Sequence, residues 1–192
     1  MAIDIDYDFL ASLEGSCRLE GYVPDPDNSG SGVTVATGFD LGARNTYDME
    51  RLGINGELLT KLKPYLGLKG KPALDKLGST PLSINDTECL FINKAVKAHF
   101  TAQLTSKYDN AIGSGKPTFD SLPKQAQTVI ASVSYQYGIN IDQKTPKFWE
   151  AVTSQDWTKT VEILENFGDR YKTRRKKEAE RLKEIITTSV KP

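Results

Sequence analysis

Residues that bind metals or act as nucleophile–base pairs are scarce in this sequence. Histidine occurs once, as His99, and cysteine twice, as Cys17 and Cys89. Neither spacing nor number suits a metal site, so zinc-hydrolase chemistry is excluded. A serine or cysteine hydrolase would have to use His99, which falls inside a predicted helix, and no nucleophile elbow accompanies it. The two cysteines make no disulfide framework. They predict a chain made in a reducing compartment, with Cys17 as a packing residue. No phosphate-cradling glycine loop and no dinucleotide fingerprint is present. No apolar run has membrane-spanning length. The acidic start, Ala2-Ile3-Asp4-Ile5-Asp6, lacks the basic head and apolar middle of a secretory signal. Net charge is zero, with 25 basic and 25 acidic residues, so no global field draws in nucleic acid.

What is there is local asymmetry. The first fifty or so residues are acidic, while 170–183 is basic. A chain of 192 residues can bury a real core. Its order reads as a small mixed lobe followed by a bundle of helices. Ile5, Phe9, Leu10 and Leu13 predict a helix over 7–14, started by Asp4, Asp6 and Asp8. Glu14 then lies in its last turn. The stretch 21–32, with Pro24, Pro26 and Asn28, is loop. The β-branched run 33–39 predicts a strand within a hairpin or three-stranded sheet, and Gly38 and Gly42 permit positive φ or close backbone approach. Helices follow over 46–52 and 55–66, and 67–78 is a passage between lobes. A capping box at Ser83–Asp86 opens a long helix over 84–108, with Leu90, Phe91, Ala95, Ala98, His99, Ala102 and Leu104 towards one broad face. Further helices begin near Pro123, at Thr145-Pro146, at Asp156, and run over 169–187.

The chemistry left open is that of carboxylates. Cleaving a glycosidic bond needs a protonated acid at the leaving oxygen and a second group on the opposite face, which in inverting enzymes holds a water. Glu14 at a helix end, with Asp40 or Thr34 on the strand that follows, meets that requirement. Thr37 reads more simply as a strand former, and Trp149 and Trp157 as core.

The run Glu14-Gly15, Arg18-Leu19, Gly21-Tyr22, continued by Gly32-Val33-Thr34-Val35-Ala36-Thr37-Gly38, resembles the active-site segment of phage-type lysozymes. Gly38-Phe39-Asp40-Leu41-Gly42 brings it nearer to the pesticin-like lysozyme domains and related phage endolysins. The segments Leu122-Pro123 to Tyr135-Gln136-Tyr137-Gly138, Trp157 to Phe167, and Tyr171 to Ala179 resemble the later helices of the same superfamily. The resemblance implies an α+β, mostly α fold of two lobes in one domain, 1–192, with a small N-terminal lobe over about 1–80 and a helical lobe over about 81–192. It implies a muramidase that hydrolyses the β-1,4 bond between N-acetylmuramic acid and N-acetylglucosamine, with inversion and without cofactor or metal. Glu14 matches the general acid, with Glu20 as its rival. Thr34 matches the water-positioning threonine, and Asp40 the second carboxylate, with Asp25 and Asp27 as alternatives in the longer loop. Arg174 matches an arginine that pairs with the acid, and Tyr22, Tyr135 and Gln136 match sugar-contacting positions. The implied partner is bacterial peptidoglycan, met by a monomer, with no nucleic acid. The basic last helix is either a solvated face or a contact for anionic envelope components. The alternatives to an enzyme are a peptidoglycan-binding module without catalysis and an antibacterial factor acting through that helix. A protein made in the cytoplasm would reach the wall by means of other factors. The start of the chain directly at the catalytic lobe favours a phage endolysin over a bacteriocin or secreted effector.

Overall fold

The computed structural model describes residues 2–28 and 30–188; Met1, Ser29 and 189–192 of the expected 1–192 domain lie outside the described residues. The chain opens with helix α1 (Tyr7–Leu13), then strands β1 (Arg18–Tyr22), β2 (Thr34–Ala36) and β3 (Phe39–Asp40). Short helices α2 (Thr46–Arg51), α3 (Gly56–Leu62) and α4 (Gly70–Ser79) lead to the long α5 (Asp86–Ala111). Helices α6 (Lys124–Tyr137), α7 (Ile141–Lys144), α8 (Pro146–Ser154), α9 (Trp157–Glu165) and α10 (Lys172–Thr188) complete the order. The fold is α+β and mostly α, as expected.

By its contacts the chain forms two units, one of Met1–Leu13 with Phe100–Pro192, the other of Glu14–His99. The first unit is helical. Its α1 starts at Asp6, whose Oδ1 accepts the Phe9 amide at 3.0 Å, the N-cap that its acidic start predicts. Glu14 falls one residue beyond the helix rather than in its last turn. Every residue of α6 from Ala126 to Ser134 is buried. Two of its buried polar side chains are satisfied by the N-terminal segment. Gln127 Oε1 accepts the Asp4 amide and Thr128 Oγ1 the Asp6 amide, both at 2.9 Å. Gly138 ends α6 with φ of 82°, where an L side chain would be strained. Leu10, Leu104, Tyr108, Phe119, Val129, Phe148 and Leu164 fill the core. Burial pushes the Tyr108 phenol up to about 12 while its hydroxyl donates to the Val152 carbonyl.

The second unit is built on an antiparallel sheet in the order β1-β2-β3. Its core joins Val33, Val35, Phe39 and Leu41 to Met49, Ile54, Tyr65, Ala73, Cys89 and Ile92. Several local expectations are corrected here. The single strand over 33–39 is a hairpin broken at Thr37-Gly38, where Ala36 has φ of 53° and Gly38 of 85°. The stretch 67–78 is no bare linker but carries α4, whose Ala73 is fully buried. The cap of α5 lies two residues later than predicted. Asn85 and Glu88 bond reciprocally at 2.8 Å, and Lys61 sits 2.7 Å from the Glu88 carboxylate. Burial raises that carboxyl, but Lys61 and the Asn85 amide outweigh it and hold it below the usual range. The inner face of α5 is also turned. Leu90 and Phe91 are exposed, while Cys89 and Ile92 are buried.

The largest correction concerns the cysteines. Cys17 and Cys89 form a disulfide, with Cα atoms 6.6 Å apart. Their separation of 72 residues hides the pairing in the sequence, and only the placement of the residue before β1 beside the first turns of α5 creates it.

Candidate active site

Three of the expected site residues form one row across the sheet. Tyr22 ends β1 and pairs with Thr34 on β2, which pairs with Asp40 on β3. Residues directly opposite one another in antiparallel strands project from the same face. The β-branched, apolar run around Thr34 forms the central strand, and the glycines around it let the neighbouring chain approach. A Cβ on Gly32 would meet the Leu68 carbonyl at 2.2 Å and one on Gly42 would meet it at 2.5 Å, so both positions exclude side chains. Asp40 uses this closeness. Its Oδ1 accepts the Gly32 amide at 2.9 Å and the Gly42 amide at 2.8 Å, capping the short 3-10 helix Leu41–Ala43. Tyr22 is half-buried, with the Arg18 guanidinium 4.2 Å from its ring centroid. Thr34 is only 3% exposed, and its hydroxyl donates to the Gly32 carbonyl at 3.2 Å.

Glu14 belongs to the same unit. Its Oε2 lies 2.9 Å from Nζ of Lys97, and the two side chains are 17% and 19% exposed. Lys97 is on α5 and is a partner that sequence reasoning missed. Two turns back, Cys89 bonds to Cys17, three residues after Glu14. Between them Asn93 binds Thr37 twice. Its Oδ1 accepts the Thr37 amide at 3.2 Å, and its Nδ2 donates to the Thr37 hydroxyl at 3.0 Å. The spacing Cys89, Asn93, Lys97 at i, i+4, i+8 was the one available signal, since such residues share a helix face. Of the rival carboxylates, Asp25 is exposed, has φ of 39°, and spends Oδ1 on Asn28 of its own loop. Asp27 and Glu20 are exposed.

Tyr135, Gln136 and Arg174 lie in the helical unit. The Tyr135 hydroxyl is 2.9 Å from that of Thr101, and its ring packs edge-on against Phe100. Arg174 donates to the Ser132 carbonyl and hydroxyl at 2.9 and 3.0 Å, to Glu178 at 3.1 Å, and to the Leu13 carbonyl at 3.4 Å. Gln136 Oε1 accepts from Arg175. Arg175 also binds Glu178 and Asp169 and lies over the Phe167 ring. Glu178 is fully buried and Arg175 nearly so. Burial would raise the Asp169 carboxyl, yet bonds from the Tyr137 hydroxyl, Arg175 and the Tyr171 amide hold it below the usual carboxylate range. Arg174 and Arg175 are thus parts of an ion network that ties α10 to α6. Among the described residues no three His, Cys, Asp or Glu side chains converge to hold a metal.

A family model described as "Pesticin: Bacterial toxin homologue of phage lysozyme, C-term" matches residues 4–158, most of the chain. The chain belongs to this family. No curated protein matches it. The pesticin-family match contains Glu14, Tyr22, Thr34, Asp40, Tyr135 and Gln136, and ends before α10 and Arg174. Membership of this family supports a lysozyme-type, glycan-hydrolysing activity.

Proposed function

We propose that this pesticin-family chain is a peptidoglycan hydrolase that cleaves the β-1,4 bond between N-acetylmuramic acid and N-acetylglucosamine, with inversion, and so lyses bacterial cells. The observation that carries this reading is the row Tyr22, Thr34, Asp40 across the sheet of a lysozyme-like fold, in the same unit as the half-buried Glu14. Glu14 gives its proton to the glycosidic oxygen as the bond to the anomeric carbon breaks. A water attacks that carbon, and its proton passes to Asp40. Asp40 brings a further property to the role: the two glycine amides on Oδ1 fix its carboxylate in place. A threonine hydroxyl of the hairpin orients the water, and the family pattern points to Thr34. Tyr22, Tyr135, Gln136 and Arg174 are the proposed sugar contacts.

The site of action is the cell wall. The Cys17–Cys89 bond supports this, because disulfides persist in oxidising compartments such as the periplasm. The test is release of reducing ends from purified peptidoglycan. The wild-type chain releases them and Glu14→Gln does not, with the fold retained by circular dichroism. Binding without release by the wild type would make the chain a non-catalytic module, and full activity of Glu14→Gln would remove the acid assignment.

A further inference from the structure

The basic stretch near the end of the chain is uneven in its pairing. From Arg170 to Lys177 there are six basic residues and no acidic one. Arg174 and Arg175 are neutralised by Glu178 and Asp169. Further along α10, Arg181 pairs with Asp6 and Glu184, and Lys183 with Glu165. Arg170, Lys172, Lys176 and Lys177 have no ion-pair partner among the described residues. The surplus positive charge is thus gathered at one end of the helix rather than spread along it.

Three of those four cations, Arg170, Lys172 and Lys177, line one cleft of about 420 Å³, together with Arg174, Ser12 and Leu13. No carboxylate is among the described residues that line it. The Arg170 guanidinium donates to the Tyr171 hydroxyl at 2.7 Å, and Arg174 donates to the Leu13 carbonyl at 3.4 Å. Two walls of the cleft are therefore fixed, while the lysines are exposed and adaptable. Like charges gathered in a concave surface repel one another, and a bound anion relieves that repulsion.

A lipid surface does not suit this arrangement. The apolar residues of α10 are already used, with Ala179 and Leu182 buried in the core and Ile185 and Ile186 packed against it, so no apolar face is left to insert. The proposed substrate supplies a better anion. In peptidoglycan the lactyl carboxyl of N-acetylmuramic acid is taken up in the amide to its stem peptide. The sugars are then neutral, and the negative charge lies on the free carboxylates of the stem. Carboxylates bind ammonium and guanidinium groups through charge-assisted hydrogen bonds. Ser12 and Leu13 line the cleft, and Glu14, the proposed acid, is the next residue in the chain. A muramidase cuts beside the sugar that bears the stem.

We propose that this cleft binds the stem-peptide carboxylates of peptidoglycan through Arg170, Lys172 and Lys177, and so selects peptide-bearing strands over neutral glycans. The proposal rests on the hydrolase reading above. Arg174, tied to Glu178 and Ser132, is the rigid wall against which the stem is held.

The experiment measures reducing-end release by the full chain on peptidoglycan and on the same material with its stem carboxylates amidated. Lys172→Gln combined with Lys177→Gln is expected to raise KM about tenfold on native peptidoglycan at nearly unchanged kcat. On amidated material the wild type and this variant should be alike. Lys172→Arg combined with Lys177→Arg should keep the wild-type KM, and added salt should shrink the difference between wild type and the Gln variant. Titration calorimetry with a soluble muropeptide, the disaccharide bearing its stem, reads the cleft without catalysis and should show a loss of the same size. Unchanged KM and unchanged muropeptide affinity in the Gln variant overturn the proposal, as does an equal loss on amidated material. Binding to phosphatidylglycerol vesicles that the Gln variant loses, with muropeptide affinity intact, gives the cleft to lipid instead. If the wild type releases no reducing ends, the hydrolase reading fails, and the muropeptide titration still decides the cleft by the same comparison.

Discussion

The two units of this chain are held by different physics. In the Glu14–His99 unit the constraints are covalent and backbone-based: the Cys17–Cys89 bond, the glycine backbones at 32 and 42, and Asp40 capping both. In the helical unit they are buried charges: Glu178 between Arg174 and Arg175, with Asp169, Gln136 and Ser132 completing the set. Short strands of two to five residues bury little apolar area and need staples, whereas long helices, one of them buried from Ala126 to Ser134, tolerate a network of paired charges. The residues proposed for the chemistry, Glu14, Thr34 and Asp40, all lie in the stapled unit.

This contrast can be broken from either side. The largest effect should come from reduction of the disulfide, or from Cys17→Ser with Cys89→Ser. Opening a loop closed over 72 residues costs about 4 kcal/mol by chain entropy. Hydrogen exchange should show the loss in β1–β3 and α2–α4, with α6 amides still protected. The converse variant, Glu178→Ala, removes one of the two carboxylates that pair with the buried Arg175 and leaves it Asp169 alone. It should cost about 3 kcal/mol, read as a lower urea midpoint, with exchange rising first in α6 and α10. Equal loosening of both units in both experiments would show that the division has no energetic meaning.

Gly42→Ala comes next. Its Cβ would lie 2.5 Å from the Leu68 carbonyl and 2.7 Å from the Gly32 Cα, so backbone must shift. A loss of about 2 kcal/mol is expected, and Asp40→Asn, which keeps an acceptor for both glycine amides, should be milder in stability yet inactive in hydrolysis. The smallest effect is that of acid. The folded Asp169 carboxyl titrates below its unfolded value, so the stability it contributes is full above about pH 4 and is lost as pH falls through the folded value. Asp169→Asn should flatten that acid limb in the helical unit. An unchanged limb would show that other carboxylates carry it.

Much of the helical unit was legible in the sequence. Asp6 and Asp156 cap their helices as read, and the helix expected from near Pro123 is α6. Local signals suffice there because each helix satisfies most of its own backbone. The N-terminal unit was harder. The split of 33–39 into two strands depends on a two-residue turn at Thr37-Gly38, entered through Ala36 in a left-handed conformation, and nothing in the alanine announces that. The exposure of Leu90 and Phe91 also goes against the apolar pattern, because 26 residues of α5 change neighbours along their length.

The sequence alone determined the class of the fold, the family, and the stretch in which the candidate site lies, because helix caps, glycine punctuation and the Glu14-to-Gly42 motif are local. Only the tertiary structure decided which partners those residues meet. It joined Cys17 to Cys89, gave Glu14 to Lys97 and Thr37 to Asn93, and buried Arg175 and Glu178 together. Each of these joins positions whose relation is set by helix phase or chain return, so a rotation of α5 by one residue, about 100°, would have dissolved all three of its contacts.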